Sequence, residues 1–129
     1  EKALAVNPND DYVLNNYSYF LSIRKEKLAL ADSLSARLVL AHPNNGTYLD
    51  TRAWVLYELS RFAEARIVME AALKDRENVS ATLWEHYGDV LFRLKLVDKA
   101  VEAWKEALRL DSSRESVDKK IRLRQIPKN

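Results

Sequence analysis

Apolar residues recur at helical spacing along almost the whole chain, broken by short polar stretches. The first ten residues, EKALAVNPND, read as the last turns of a helix stopped by Asn7-Pro8. Proline cannot continue a helix and pushes the residue before it toward extended geometry. A helix is then predicted over residues 11–23, with Asp10 as N-cap and Leu14, Tyr17, Ser18 and Leu21 as its small-and-apolar stripe. A charged corner, Arg24-Lys25-Glu26-Lys27, leads to a helix over 28–41 that stops at His42-Pro43-Asn44-Asn45-Gly46. Further helices are predicted over 47–59, 62–75, 81–94 and 97–110, with turns at Ser60-Arg61 and Glu77-Asn78. Ser112-Ser113-Arg114-Glu115 has the spacing of a capping box. Val117 and Ile121, four apart, predict one last covering helix, and no strand is predicted anywhere.

The helices repeat. Leu14, Ser18 and Leu21 lie 35 residues before Leu49, Ala53 and Leu56, and those lie 35 before Trp84, Gly88 and Leu91. Ala65, Met69 and Ala72 precede Ala100, Trp104 and Ala107 by the same interval. The last unit runs Trp84-x2-Tyr87-Gly88-x2-Leu91, then Ala100-x3-Trp104-x2-Ala107, with Pro8 and Pro43 standing where earlier second helices end. This resembles the tetratricopeptide repeat, a 34-residue helix–turn–helix unit. The resemblance implies an all-α fold: a right-handed superhelical solenoid of antiparallel helix pairs with a C-terminal capping helix. A single domain, 1–129, would hold a partial repeat at 1–10, full repeats at 11–45, 46–80 and 81–114, and a capping helix and tail at 115–129. Small residues at Ser18, Ala53 and Gly88 let paired helices approach, and neighbouring units bury the apolar seam. Three departures stand out. Ala31, Ser35 and Leu38 match only after one extra corner residue, Arg52 replaces an apolar residue, and Glu77 replaces a proline. The strings LNNYSYFLS, TYLDTRAWVLYELSRFAEA and WEHYGDVLFRL are similar to the last repeats of large bacterial cell-envelope proteins of this family. That likeness implies a periplasmic or outer-membrane-anchored parent.

Composition narrows the chemistry. With 129 residues the chain is one domain, able to bury a core without staples. The absence of cysteine removes disulfides, thiolate metal sites and thiol nucleophiles. Two glycines, Gly46 and Gly88, lie too far apart for a dinucleotide-binding loop. Gly88 is expected at a helix contact and Gly46 in a turn. No apolar run approaches the ~18 residues of a membrane span. The chain opens at Glu1 without initiator Met, basic region or apolar signal core, and reads as a piece of a larger multi-repeat protein. Net charge is +2, but Arg114, Lys119, Lys120, Arg122, Arg124 and Lys128 against Glu115 and Asp118 give the end a local +4. The rest is therefore −2. The basic end reads as the solvated outer face of a capping helix.

First helices line the concave face of such a stack, and the seam residues fix its phase. The expected peptide-binding groove comprises Tyr12, Asn15, Asn16 and Tyr19, with Ser22 at the margin; Asp50, Trp54, Tyr57 and Glu58; and Glu85, Asp89, Phe92 and Arg93 beside His86. Exposed aromatics are enriched in interface hot spots, so Trp54 is the most informative residue. Trp84 and Trp104 occupy signature places and are expected in the core. One subtype of the family binds C-terminal carboxylates with Lys, Arg and Asn, but only Asn15 and Asn16 match it here. The acidic residues point instead to a basic or apolar segment. Glu85, His86 and Asp89, with Asp50, are the one cluster with metal or acid–base character, and they read as a solvated acidic patch beside a half-buried histidine. His42 reads as a structural corner residue; no HExxH and no Ser–His–Asp signature is present. The expectation is a non-catalytic scaffold that binds protein or peptide, with no cofactor, no metal, no nucleic acid and no membrane insertion, weak self-association being allowed. The alternatives are a purely structural cap of a longer array, or a helical-repeat RNA binder, which would need a basic concave face.

Overall fold

The computed structural model describes residues 10–127, so the partial repeat expected at 1–10 lies outside the described residues except for Asp10. The described residues form seven α-helices and no strand. They are α1 (Asp11–Arg24), α2 (Leu28–Ala41), α3 (Gly46–Glu58), α4 (Phe62–Ala72), α5 (Ala81–Arg93), α6 (Val97–Leu110) and α7 (Glu115–Leu123), with a 3-10 turn at Arg76–Asn78. Two compact units divide the chain, residues 1–75 and 76–129.

The repeat is written in the helix ends. Asp10, Asn45 and Ser80 each cap a first helix, accepting from the backbone N–H of Val13 (3.2 Å), Tyr48 (3.1 Å) and Leu83 (3.1 Å). Each cap satisfies an orphan donor of the first turn. At the other end Lys25, Ser60 and Lys95 take left-handed backbone, with φ of 56°, 62° and 67°. The next N–H in each corner, of Glu26, Arg61 and Leu96, returns to the carbonyl of Leu21, Leu56 and Leu91 at 3.0, 2.8 and 2.9 Å. This closure usually carries glycine. The extra residue of the first corner is Lys27, itself left-handed at φ 47°.

Three sequence expectations change. α4 stops at Ala72, not residue 75, because the N–H groups of Lys74 and Asp75 tighten back onto the carbonyls of Ala71 and Ala72. Gly46 opens α3 instead of forming a turn; its N–H donates to the Asp75 carboxylate (2.7 Å), and a Cβ there would lie 2.8 Å from Asp75 Cβ. Ser112 caps nothing, since α7 begins after Arg114 and the Asp111 carboxylate accepts from the Ser113 N–H (3.1 Å) and hydroxyl (2.6 Å).

In the first unit Leu14, Leu34 and Leu38 close with Tyr17 and Tyr48, and Leu21, Ala31 and Val55 close with Tyr17 and Leu59. Ser18 is fully buried and donates to the Ala31 carbonyl at 3.0 Å. Arg52 fits its apolar-type position by reaching α2, where it pairs with the Asp32 carboxylate and donates to the Asp32 carbonyl (3.1 Å) and Ser35 Oγ (3.2 Å). In the second unit Leu91, Ala100, Val101, Ala103, Trp104, Ala107 and Val117 form the core, with Tyr87, Ile121 and Ile126 packed on it. Gly88 faces the indole so closely that a Cβ would meet Trp104 Cδ1 at 2.3 Å. Trp104 is core as expected; Trp84 is only half-buried, packed against that cluster with its ring edge-on to Tyr87.

Candidate peptide-binding face

In the first unit α1 and α3 lie side by side and present an aromatic, weakly acidic surface. Tyr12 is 70% exposed and Asn16 is exposed, while Tyr19 and Asp50 are half-buried. The rings of Trp54 and Tyr57 stack at 4.3 Å and 7°, and Phe62 meets Tyr57 edge-on at 5.3 Å. Glu58 is half-buried, with Lys25 Nζ 4.0 Å from its carboxylate. Asn15 and Ser22, seven residues apart, turn away from solvent instead. Asn15 is 5% exposed, with Oδ1 buried and unbonded, and the fully buried Ser22 donates to the Tyr19 carbonyl at 2.6 Å.

The second unit corrects the charge reading. Glu85 and Asp89 are not a solvated acidic patch, because the basic end of the chain folds onto them. Lys120 Nζ lies 2.7 Å from Glu85 and 2.9 and 3.0 Å from the two oxygens of Asp89. Arg114 donates to Glu85 (3.0 Å) and to Thr82 Oγ1 (2.7 Å), and the Trp104 indole N–H donates to Asp89 Oδ1 at 3.0 Å. Asp89 is 5% exposed and Lys120 8%, so Lys120 belongs to the interior and not to an outer face. His86 is buried, not half-buried. Phe92 is half-buried, its ring 6.1 Å from that of Trp104, and Arg93 is exposed.

Burial raises the Glu85 carboxyl, but the Lys120 ammonium and Arg114 guanidinium outweigh it and hold it below its ordinary range. Burial dominates at Asp89 and leaves its carboxyl above the ordinary range, with Lys120 offsetting only part. Burial lowers Lys120, and the two carboxylates more than reverse this. The acids stand on α5 and the bases on α7 or at its N-cap, and nothing local in the sequence signals that the two sets meet. Among the described residues no group of three or more His, Cys, Asp or Glu could hold a metal ion. In the corner, His42 Nε2 lies 2.5 Å from Asp11 and packs edge-on to Tyr48 at 5.3 Å. Burial, with Asp11 and Asp10 behind it, raises the Tyr48 hydroxyl. Among the described residues no helix is long and apolar enough to cross a membrane.

Helix pairs at a 35-residue interval, pinned by buried small residues at Ser18, Ala53 and Gly88, define a tetratricopeptide-repeat fold. Solved structures agree. The chain matches the first TPR domain of human RPAP3 with a TM-score of 0.79 and 19% identity, over 91% of each chain. It matches the first TPR of Spaghetti (RPAP3), bound to the HSP90 peptide SRMEEVD, at 0.78 and 18%, over 88% of this chain and 91% of that one. It matches the Sgt2 TPR domain from Aspergillus fumigatus at 0.77 and 18%, over 90% and 77%. At these identities the likeness is one of fold. No protein-family model and no curated protein matches the sequence.

Proposed function

We propose that the chain is a non-catalytic scaffold module, part of a larger multi-repeat protein, that binds a protein or peptide segment on its first-helix face. The observation that carries this is the aromatic surface of the first unit: exposed Tyr12, then Tyr19 and the Trp54–Tyr57 stack, with Asn16 between them. Large aromatics left half-open on a helix face are the anchors binding surfaces use. A fold neighbour that holds a peptide supports the reading. That peptide is acidic, and this face offers Asp50 and Glu58 instead, so the segment taken here is apolar with basic flanks. Asn15, Glu85 and Asp89 leave the contact set because their polar atoms are buried or already paired. The likeness to cell-envelope repeat proteins supports a bacterial, envelope-located parent.

Panning a displayed peptide library on the 129-residue chain tests this. Apolar peptides with basic flanks are expected, and Trp54→Ala should weaken them about tenfold or more while the fold is retained. Enrichment of acidic peptides, or binding indifferent to Trp54→Ala and Tyr12→Ala, would overturn it.

A further inference from the structure

The middle first helix carries a combination that its two counterparts lack. On α3, Asp50, Trp54 and Glu58 stand at i, i+4 and i+8, with Tyr57 beside them at i+7, so an aromatic pair lies between two acids on one stripe. At the places of Trp54, Tyr57 and Glu58, α1 has Tyr19, Ser22 and Ile23, and α5 has Asp89, Phe92 and Arg93. Neither counterpart joins two rings to a carboxylate. The Trp54 and Tyr57 rings lie 4.3 Å apart and 7° from parallel, and both residues are half-buried, so the stack keeps part of its surface open. The Glu58 side chain is 12% exposed, and Lys25 Nζ stands 4.0 Å from its carboxylate on a side chain that is 71% exposed. That distance is too long for a hydrogen bond, and an ion pair so open to water holds weakly.

We infer that the Trp54–Tyr57 stack and Glu58 form a subsite for an arginine side chain in the basic flank of the bound segment, an inference that rests on the peptide-face reading above. Ring geometry selects the cation. A round, methylated ammonium gains most from rings that face it from several directions. Here Phe62 already packs edge-on against Tyr57 at 5.3 Å, which leaves no gap between those rings, and the parallel pair is extended only by another plane. The guanidinium is such a plane: it is weakly hydrated, stacks on aromatic faces, and keeps N–H groups at its edge for a carboxylate. A lysine ammonium is a strongly hydrated point charge, and Lys25 behaves as one, staying in solvent and short of hydrogen-bonding contact with Glu58. The chain builds the same arrangement on a small scale on α1, where the Arg24 guanidinium lies 5.4 Å over the Phe20 ring and 3.3 Å from the Glu26 carboxylate. Lys25 is the displaceable stand-in whose place the incoming guanidinium takes.

The test follows the indole N–H resonance of Trp54 in the 129-residue chain, with Trp84 and Trp104 as internal controls, during titration with acetyl-arginine amide. Arginine should shift the Trp54 signal saturably and leave the other two nearly still. The lysine and citrulline amides, which lack the plane and the charge respectively, should bind about fivefold or more weakly. Glu58→Gln keeps the shape and should weaken arginine by a similar factor. Lys25→Gln should strengthen it about twofold, because the competing ammonium is gone. That gain decides the matter even if Glu58→Gln fails to fold, since a merely structural Glu58 predicts none. No saturable shift of Trp54 by arginine, equal binding of the three amides, or an unchanged affinity in Lys25→Gln would each overturn the inference. In the library panning, Trp54-dependent peptides without arginine would overturn it and leave the peptide face standing, whereas peptides indifferent to Trp54→Ala would remove both.

Discussion

Lys120 is the residue that ties α7 to α5. Its ammonium is shared by two carboxylates in a site where none of the three side chains is more than 14% exposed. Removing one partner of such a group leaves uncompensated buried charge, which costs about 3 kcal/mol or more. Lys120→Met keeps the stem and loses the charge, so the unfolding free energy read from a urea titration should fall by that amount, and adding Asp89→Asn should restore part of it. The pH dependence follows from the shifts. Glu85 is lowered, so its contribution is present above its unfolded pKa and lost as pH falls through the folded one. Lys120 is raised, so its contribution is present below its unfolded pKa and lost as pH rises through the folded one. Asp89 is raised and works against Glu85, taking up a proton more readily folded than unfolded as pH falls. Stability should therefore be flat through neutral pH, with a shallow acid limb below pH 4.5 and a loss above 10.5. Urea titrations of wild type and Lys120→Met should differ at both limbs; identical pH profiles would remove the network from the account. The Asp10 cap was legible because a cap is a matter of three residues. The Lys120 contact was not, because two helices have to fold before its charge finds a partner.

At the scale of the element, the corners carry strain that sequence reading could not see. Lys and Ser give no signal of positive φ, yet Lys25, Ser60 and Lys95 hold the place where glycine is usual. Left-handed backbone costs a non-glycine residue about 1–2 kcal/mol, and glycine returns about 0.5–1 of this through its looser unfolded chain. Lys95→Gly, whose side chain is exposed, should stabilise the protein by about 0.5–1 kcal/mol in a denaturant titration. An unchanged or lowered midpoint would mean that the lysine stem contributes more than the strain costs. The 35-residue interval itself was fully legible, since it needs only small and apolar residues in phase. The groove phase was less so. Asn15 and Ser22 sit a few tens of degrees from Tyr12 and Tyr19 on the same helix, and whether that arc faces solvent is decided by how α1 leans on its neighbours, not by α1 alone.

For the molecule as a whole, the sequence pI of 8.9 overstates what a polyanion would meet. Arg114 and Lys120 are turned onto Glu85 and Asp89, Arg122 pairs with Asp118, and Arg124 with Asp98. The basic end is mostly answered within its own unit, so the chain should pass through a heparin column at physiological salt; salt-sensitive retention would reopen the RNA-binding alternative. The hydrogen bond from Trp104 to Asp89 has a separate use. That indole is wholly dry and shares its acceptor with the α7 lysine. In a protein with Trp54 and Trp84 replaced by phenylalanine, its fluorescence becomes an optical reporter of the terminal helix alone. The emission is blue while α7 is seated and moves red when it lifts, so undocking of the last helix can be timed without touching the rest of the repeat.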